Sequence, residues 1–64
     1  MSIRYIRYTK EQLKDMVVSG YSLYVNGSFW QMFDYITTAT KEAYRYATFN
    51  EVEIYPVLKQ RSRS

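Results

Sequence analysis

The dipeptide Asn26-Gly27 is the feature that most restricts what this chain can fold into. Asn-Gly is the preferred pair for a two-residue type I′ turn, because both central residues of that turn need a positive φ. The flanking segments, residues 21–25 and 28–36, are rich in the aromatic and β-branched residues that favour strands. The sequence therefore predicts a β-hairpin over residues 21–36.

A two-residue turn also determines which side chains face each other across the hairpin. Three pairs are predicted on one nearly apolar face: Val25 with Ser28, Leu23 with Trp30, and Tyr21 with Met32. The other face is predicted to pair Tyr24 with Phe29 and Ser22 with Gln31. In this register Asp34 also points to the core, where an unpaired carboxylate is costly. Either the strand ends or bulges near Asp34, or the register is different.

The second half of this segment has a competing helical interpretation. Ser28 and Gln31 match the two ends of a capping box. The apolar residues from Phe29 to Ala43 also recur at helical spacing. The alternative is a hairpin and long-helix arrangement, with a helix from about residue 29 to residue 48.

The segment before the hairpin carries the clearest helix signals. Residues 3–8 are β-branched and aromatic enough for a strand. Thr9 and Gln12 then form a capping box, in which each side chain bonds the backbone N–H of the other residue. Apolar residues follow at helical spacing up to Gly20, which suits the left-handed residue that ends a helix. A strand over residues 3–8 and a helix over residues 9–20 are predicted.

The segment after the hairpin predicts a second helix and a last strand. The helix would begin within residues 37–40, with Thr38 or Thr40 as its cap, and Asn50 would close it. Its inner face consists of three small residues: Ala39, Ala43 and Ala47. Residues 51–58 alternate, with Val52 and Ile54 inward. Pro56 cannot donate to a ladder, so this strand is expected at an edge.

The predicted order is β-α-β-β-α-β, the split βαβ arrangement of a ferredoxin-like α+β domain. Its usual strand order is 4-1-3-2, and both helices cover one face of the sheet, so the other face stays open. Residues 1–58 are expected to form a single domain, and residues 59–64 a basic, disordered tail.

Composition excludes several classes of function. The chain has 64 residues and neither Cys nor His, so disulfides, Cys/His zinc sites and thiol or histidine catalysis are impossible. The net charge of +3 lies entirely in the tail, which leaves residues 1–58 neutral. We therefore predict no enzyme activity, no cofactor and no metal site. No signal peptide or membrane span is recognisable, which favours a cytoplasmic protein that does not bind membranes.

Aromatic residues are the informative excess, with eight Tyr, three Phe and one Trp. On the predicted fold, the open sheet face would carry the candidate partner-binding residues: Tyr5, Arg7, Tyr24, Phe29, Gln31, Phe33, Tyr35 and Tyr55. A contiguous exposed patch of this kind marks an interaction site. The sequence thus predicts a small non-enzymatic protein-binding module, an inhibitor or adaptor, which docks on a larger protein or on its own copy as a homodimer. The small size and composition are typical of phage-encoded accessory proteins.

The alternative function is binding of RNA or single-stranded DNA, with the aromatic rings stacked on bases. The candidate phosphate contacts are Arg4, Arg7, Lys59, Arg61 and Arg63. Residues 26–33 lack the basic first residue and the second small residue expected of an RNA-recognition motif. Because residues 1–58 are neutral, nucleic acid is the second choice.

Overall fold

The computed structural model describes residues 2–61, which form a mixed α+β domain of four strands and one helix. The elements are β1 (Ser2–Tyr5), β2 (Met16–Val25), β3 (Ser28–Phe33), α1 (Ile36–Ala47) and β4 (Glu51–Gln60). The strands form a single sheet in the order β1-β4-β2-β3. β1 runs parallel to β4, whereas β2 is antiparallel to both β4 and β3. α1 packs on one face of this sheet.

The prediction of a helix over residues 9–20 is wrong, although its capping box forms. The Thr9 N–H donates to Gln12 Oε1 (2.8 Å), and the Gln12 N–H donates to Thr9 Oγ1 (3.2 Å). The chain turns over residues 10–15 and then enters β2 at Met16. A cap contributes only about 1 kcal/mol, and a helix this short is marginal by itself. The pairing of β2 with β4, which extends from Met16 to Val25, stabilises the strand by more than the cap stabilises a helix.

The ferredoxin-like strand order is also wrong, because β4 lies between β1 and β2 and not at an edge. The Ile6 N–H donates to the Ile54 carbonyl at 3.0 Å, so the backbone of Ile54 faces β1. Residues two apart along a strand face the same side, which means that Pro56 also faces β1. Since β1 ends at Tyr5, opposite Ile54, the absent N–H of Pro56 interrupts no ladder. A central strand therefore accommodates Pro56, because no residue of β1 lies where the missing N–H would have bonded.

The predicted hairpin turn is confirmed, and the helix from residue 29 to residue 48 is wrong. Asn26 and Gly27 have φ of 52° and 83°, the positive values that a type I′ turn needs. Residues 28–33 form β3, and α1 begins only at Ile36. Its N-cap is Tyr35, without a side-chain bond, so the predicted threonine caps are wrong.

The hairpin register differs from the prediction after its first two pairs because β3 contains a β-bulge. Val25 pairs with Ser28 and Tyr24 pairs with Phe29 as predicted, but Leu23 pairs with Gln31. Trp30 is the extra residue between the last two of these pairs. A bulge of one residue reverses the face of every side chain that follows it. Further along, Tyr21 pairs with Phe33 and Ser22 with Met32.

The core lies between α1 and the sheet. Its buried hydrophobic members are Leu23, Phe33, Ala39, Ala43, Ala47, Val52 and Ile54. The predicted alanine face and the inward positions of Val52 and Ile54 are therefore confirmed. At the end of the helix, Asn50 Nδ2 donates to the Tyr46 carbonyl (3.0 Å), which agrees with its predicted closing role.

The molecule is elongated, with principal extents of 45 × 20 × 18 Å. β2 and β4 continue as a two-stranded ribbon beyond the ends of β1 and β3. β4 runs through Lys59 and Gln60, and the Arg61 N–H donates to the Asp15 carbonyl at 2.8 Å. The rest of the predicted basic tail, residues 62–64, lies outside the described residues.

Candidate protein-binding surface

Within residues 2–61 no helix covers the sheet face opposite α1, and we call this face the open face. The strand register assigns its members on all four strands. From the β1 edge to the β3 edge they include Arg4, Glu53, Tyr55, Val57, Ser22, Tyr24, Phe29 and Met32.

A chain of aromatic contacts crosses the middle of the open face. The Tyr24 ring lies 5.8 Å from the Phe29 ring and 5.0 Å from the Tyr55 ring, both edge-to-face. Such aromatic pairs contribute about 0.5–1.5 kcal/mol beyond the area they bury. Tyr24 and Tyr55 are half-buried, whereas Phe29 and Met32 are 55% and 53% exposed. Phe29, Tyr24 and Tyr55 thus form one row across three neighbouring strands, and we call this row the aromatic stripe.

Charged groups lie at the ends of the open face and not in its centre. Near the hairpin turn, Arg4 forms an ion pair with Glu53 at 3.6 Å, and the Arg4 side chain is largely exposed. Lys59 lies six residues along β4 from Glu53, which corresponds to about 20 Å. The aromatic stripe between them carries no charge. The centre of the open face is therefore aromatic and uncharged.

The eight predicted partner-binding residues do not share one surface. Tyr24, Phe29 and Tyr55 meet on the open face as predicted. The bulge at Trp30 places Gln31 and Phe33 on the α1 face, and Phe33 is 9% exposed. The prediction that these two residues lie on the open face is therefore wrong.

The other three predicted partner-binding residues lie elsewhere. The Tyr5 hydroxyl bonds Thr40 Oγ1 of α1 (3.2 Å), so its ring lies on the α1 face. Tyr35 is 70% exposed at the start of the helix. Arg7 lines a cleft of about 230 Å³ together with Tyr5, Ile36 and other residues of the α1 side. This cleft is smaller than the usual ligand pocket of roughly 300–1,000 Å³.

The predicted partner-binding set omits Ser22, Met32 and Val57, although the register places all three on the open face. A regular hairpin register places Met32 on the core face, and the bulge moves it to the open face. Asp34 was the available signal: the regular register buried its carboxylate, whereas β3 ends at Phe33 and Asp34 is exposed. A misplaced charge of this kind indicates a bulge upstream of it.

The predicted phosphate contacts do not converge. Arg4 pairs with Glu53 at one end of the open face, and Arg7 lies on the opposite side of the sheet. Lys59 and Arg61 lie at the far end of the ribbon. Arg63 lies outside the described residues. Four basic groups dispersed in this way do not form the continuous groove that follows a nucleic-acid backbone.

A comparison of the chain with protein-family models, curated proteins and solved structures finds no match to any of them. The open face and its aromatic residues are therefore the basis for a proposed function. Between residues 2 and 61 there is no group of three or more acidic side chains placed to hold a metal ion. In the same range, no helix has the length and apolar character needed to cross a membrane.

Proposed function

We propose that this protein is a small, non-enzymatic protein-binding module that docks through its open face. The observation that carries the proposal is the uncharged aromatic stripe of Phe29, Tyr24 and Tyr55 across three strands without a helix on it. Tyrosine is among the favoured anchors of protein interfaces, because its ring supplies contact area and its hydroxyl a hydrogen bond.

The electrostatics favour a protein partner over nucleic acid. Docking on a phosphate backbone needs several basic groups along one path. On the open face, Arg4 is balanced by Glu53, and Lys59 lies about 20 Å away. An inhibitor or adaptor fits this surface, whereas action in the cytoplasm and a phage origin are predictions from the sequence.

The test compares two tyrosine-to-serine variants. Tyr55→Ser removes a ring from the centre of the open face. Tyr44→Ser removes a ring that is 54% exposed on α1 and serves as the control. Circular dichroism and thermal melting first establish that both variants are folded. A partner captured by the parent protein is then purified, and its affinity for all three chains is measured by calorimetry.

We expect Tyr55→Ser to weaken binding at least tenfold, because a central interface ring contributes about 2 kcal/mol or more. Tyr44→Ser should bind like the parent. Equal affinities of the two variants would contradict docking through the open face. A single-stranded oligonucleotide, titrated at two salt concentrations, tests the alternative. Tight binding that falls steeply with salt and requires Tyr55 would replace the protein-partner proposal.

A further inference from the structure

The free edge of β3 is the second unusual surface of the molecule. Phe29, Trp30 and Met32 are 55%, 52% and 53% exposed, although they lie on two different faces. Phe29 and Met32 belong to the open face, while Trp30 lies on the α1 face, 5.2 Å from the ring of Tyr46. An apolar edge strand that is exposed on both faces is a template for pairing with another strand.

The register indicates which backbone groups of β3 are unpaired. Since Ile54 faces β1, its neighbours in β4 face β2, and their partners Tyr24 and Ser22 face β4. The backbone groups of the residues between them face β3. These residues are Tyr21, Leu23 and Val25, and they pair with Phe33, Gln31 and Ser28. The N–H and C=O groups of Phe29 and Met32 consequently point away from the sheet.

The edge of β3 lacks most of the usual protection. Natural edge strands are blunted by lysine, proline, short length or a bulge. β3 has the bulge at Trp30, but it contains no charged residue and no proline over six residues. A covering strand would pair its free backbone groups and shield its exposed side chains on both faces.

We propose that β3 pairs antiparallel with β3 of a second copy of this chain. With the two-fold axis between Trp30 and Gln31, Phe29 lies opposite Met32 of the other copy on the open face. Trp30 lies opposite Gln31 on the α1 face, and Ser28 lies opposite Phe33. Every pair then joins residues of the same face. This self-complementarity arises from the bulge, since Phe29 and Met32 share a face despite their odd spacing.

Shifting this register by one residue places open-face residues against residues of the α1 face. Electrostatic repulsion between the two copies does not oppose the pairing. The charged residue nearest to β3 along the chain is Asp34. It would lie about 23 Å from Asp34 of the other copy, beyond the Debye length of about 8 Å. The product is a continuous eight-stranded sheet with both copies of α1 on one face. The two open faces then adjoin, but the pairing does not depend on the proposed function.

The first test is the oligomeric state of the full chain, measured by sedimentation over a range of concentrations. We expect a monomer–dimer equilibrium. Met32→Lys places a charge on the paired edge and should weaken dimerisation at least tenfold, whereas Met32→Leu should behave like the parent. A chain that stays monomeric at every concentration, or a dimer that tolerates Met32→Lys, would overturn the proposal.

The second test examines the register through a single introduced cysteine, because the chain has none of its own. In the proposed dimer the two copies of residue 31 lie about 6 Å apart, within the range that a disulfide spans. Gln31→Cys should crosslink rapidly with a mild oxidant, and adding Met32→Lys should suppress the crosslink. Gln60→Cys, an exposed glutamine at the far end of β4, is the matched control.

Equal crosslinking of the two cysteine variants would refute pairing through β3. Tyr55→Ser lies outside β3 and separates the two proposals. A dimer that survives this substitution supports edge pairing whatever its effect on partner binding. A dimer that Tyr55→Ser dissociates, and in which Gln31→Cys does not crosslink, would indicate stacking of open faces and would overturn the β3 model.

Discussion

Serine substitutions at two neighbouring positions of β3 provide a direct test of the bulge. With the bulge, Phe33 points into the core and Met32 points to the open face. In a regular hairpin the two would exchange roles. The difference in unfolding free energy between Phe33→Ser and Met32→Ser therefore reports the register.

The magnitude follows from the burial of each side chain. Phe33 is 9% exposed. An aromatic side chain buries roughly 150–250 Å², so at about 25 cal/mol per Å² its loss costs about 4–6 kcal/mol. Residual compactness of the unfolded chain reduces this to about 3–5 kcal/mol. Met32 is 53% exposed, so Met32→Ser should lower the unfolding free energy by about half of the value for a fully buried methionine, which is about 1 kcal/mol.

Urea unfolding, followed by circular dichroism and by the fluorescence of Trp30, measures both values. Trp30 is the single tryptophan and contacts Tyr46 of α1, so its emission reports docking of the helix on the sheet. A domain of this size has about 3–10 kcal/mol of stability in total, so Phe33→Ser can abolish the fold. Phe33→Leu keeps the comparison measurable, with an expected loss of about 1 kcal/mol.

Two results would refute the reasoning. One is a Phe33→Ser variant that unfolds at the same urea concentration as the parent. The other is a Met32→Ser variant that loses more stability than Phe33→Ser. Either outcome would mean that the residues after Trp30 face the opposite way, and that the open face has a different composition.

Three further substitutions test the packing and the turn. Ala43→Leu should cost about 1–3 kcal/mol and lower the melting temperature, because Ala43 is fully buried where α1 lies on the sheet. An unchanged melting temperature would mean that α1 does not pack closely on the sheet at this position. Asn26→Ala removes the acceptor of the Glu51 N–H bond (2.9 Å) and should cost about 1–2 kcal/mol in urea unfolding; Asn26→Gly, which keeps the turn, should recover part of the loss. Gly20→Ala places a Cβ 2.9 Å from the Phe33 carbonyl, so β3 must shift and its amides should exchange faster; unchanged exchange would contradict this close approach.

Features determined by local chemistry could be predicted from the sequence. Asn26-Gly27 forms its turn because few other pairs tolerate two positive φ values in succession. The alanine face of α1 is buried because its spacing matches one side of a helix and its small side chains allow close packing. Both signals depend on a few adjacent residues and are independent of the rest of the fold.

Features determined by distant pairing could not be predicted. Residues 9–12 form the capping box that the sequence indicates, yet β2 begins at Met16, because β4 supplies a partner for nine of its residues. The bulge at Trp30 has no signature in the residues beside it, and its one trace in the sequence is the charge of Asp34, four residues further on. The bulge places Phe33 in the core and thereby removes Phe33 from the expected interaction surface. The predicted open-face positions of Tyr24, Phe29 and Tyr55 are consequently confirmed, and the predicted positions of Gln31 and Phe33, after the bulge, are wrong.

The central position of β4 has a consequence for the order of folding during synthesis. Ribosomes produce β1, the hairpin of β2 and β3, and α1 before β4, yet β1 has no partner in the sheet other than β4. Ser2 pairs with Glu51 and Met16 with Gln60, so nearly the whole chain must be made before either ladder can close. Folding that depends on such long-range contacts is slow, on the order of milliseconds to seconds. Until β4 emerges, the inner edge of β2 and the apolar residues beside it are exposed, and the nascent chain is vulnerable to aggregation.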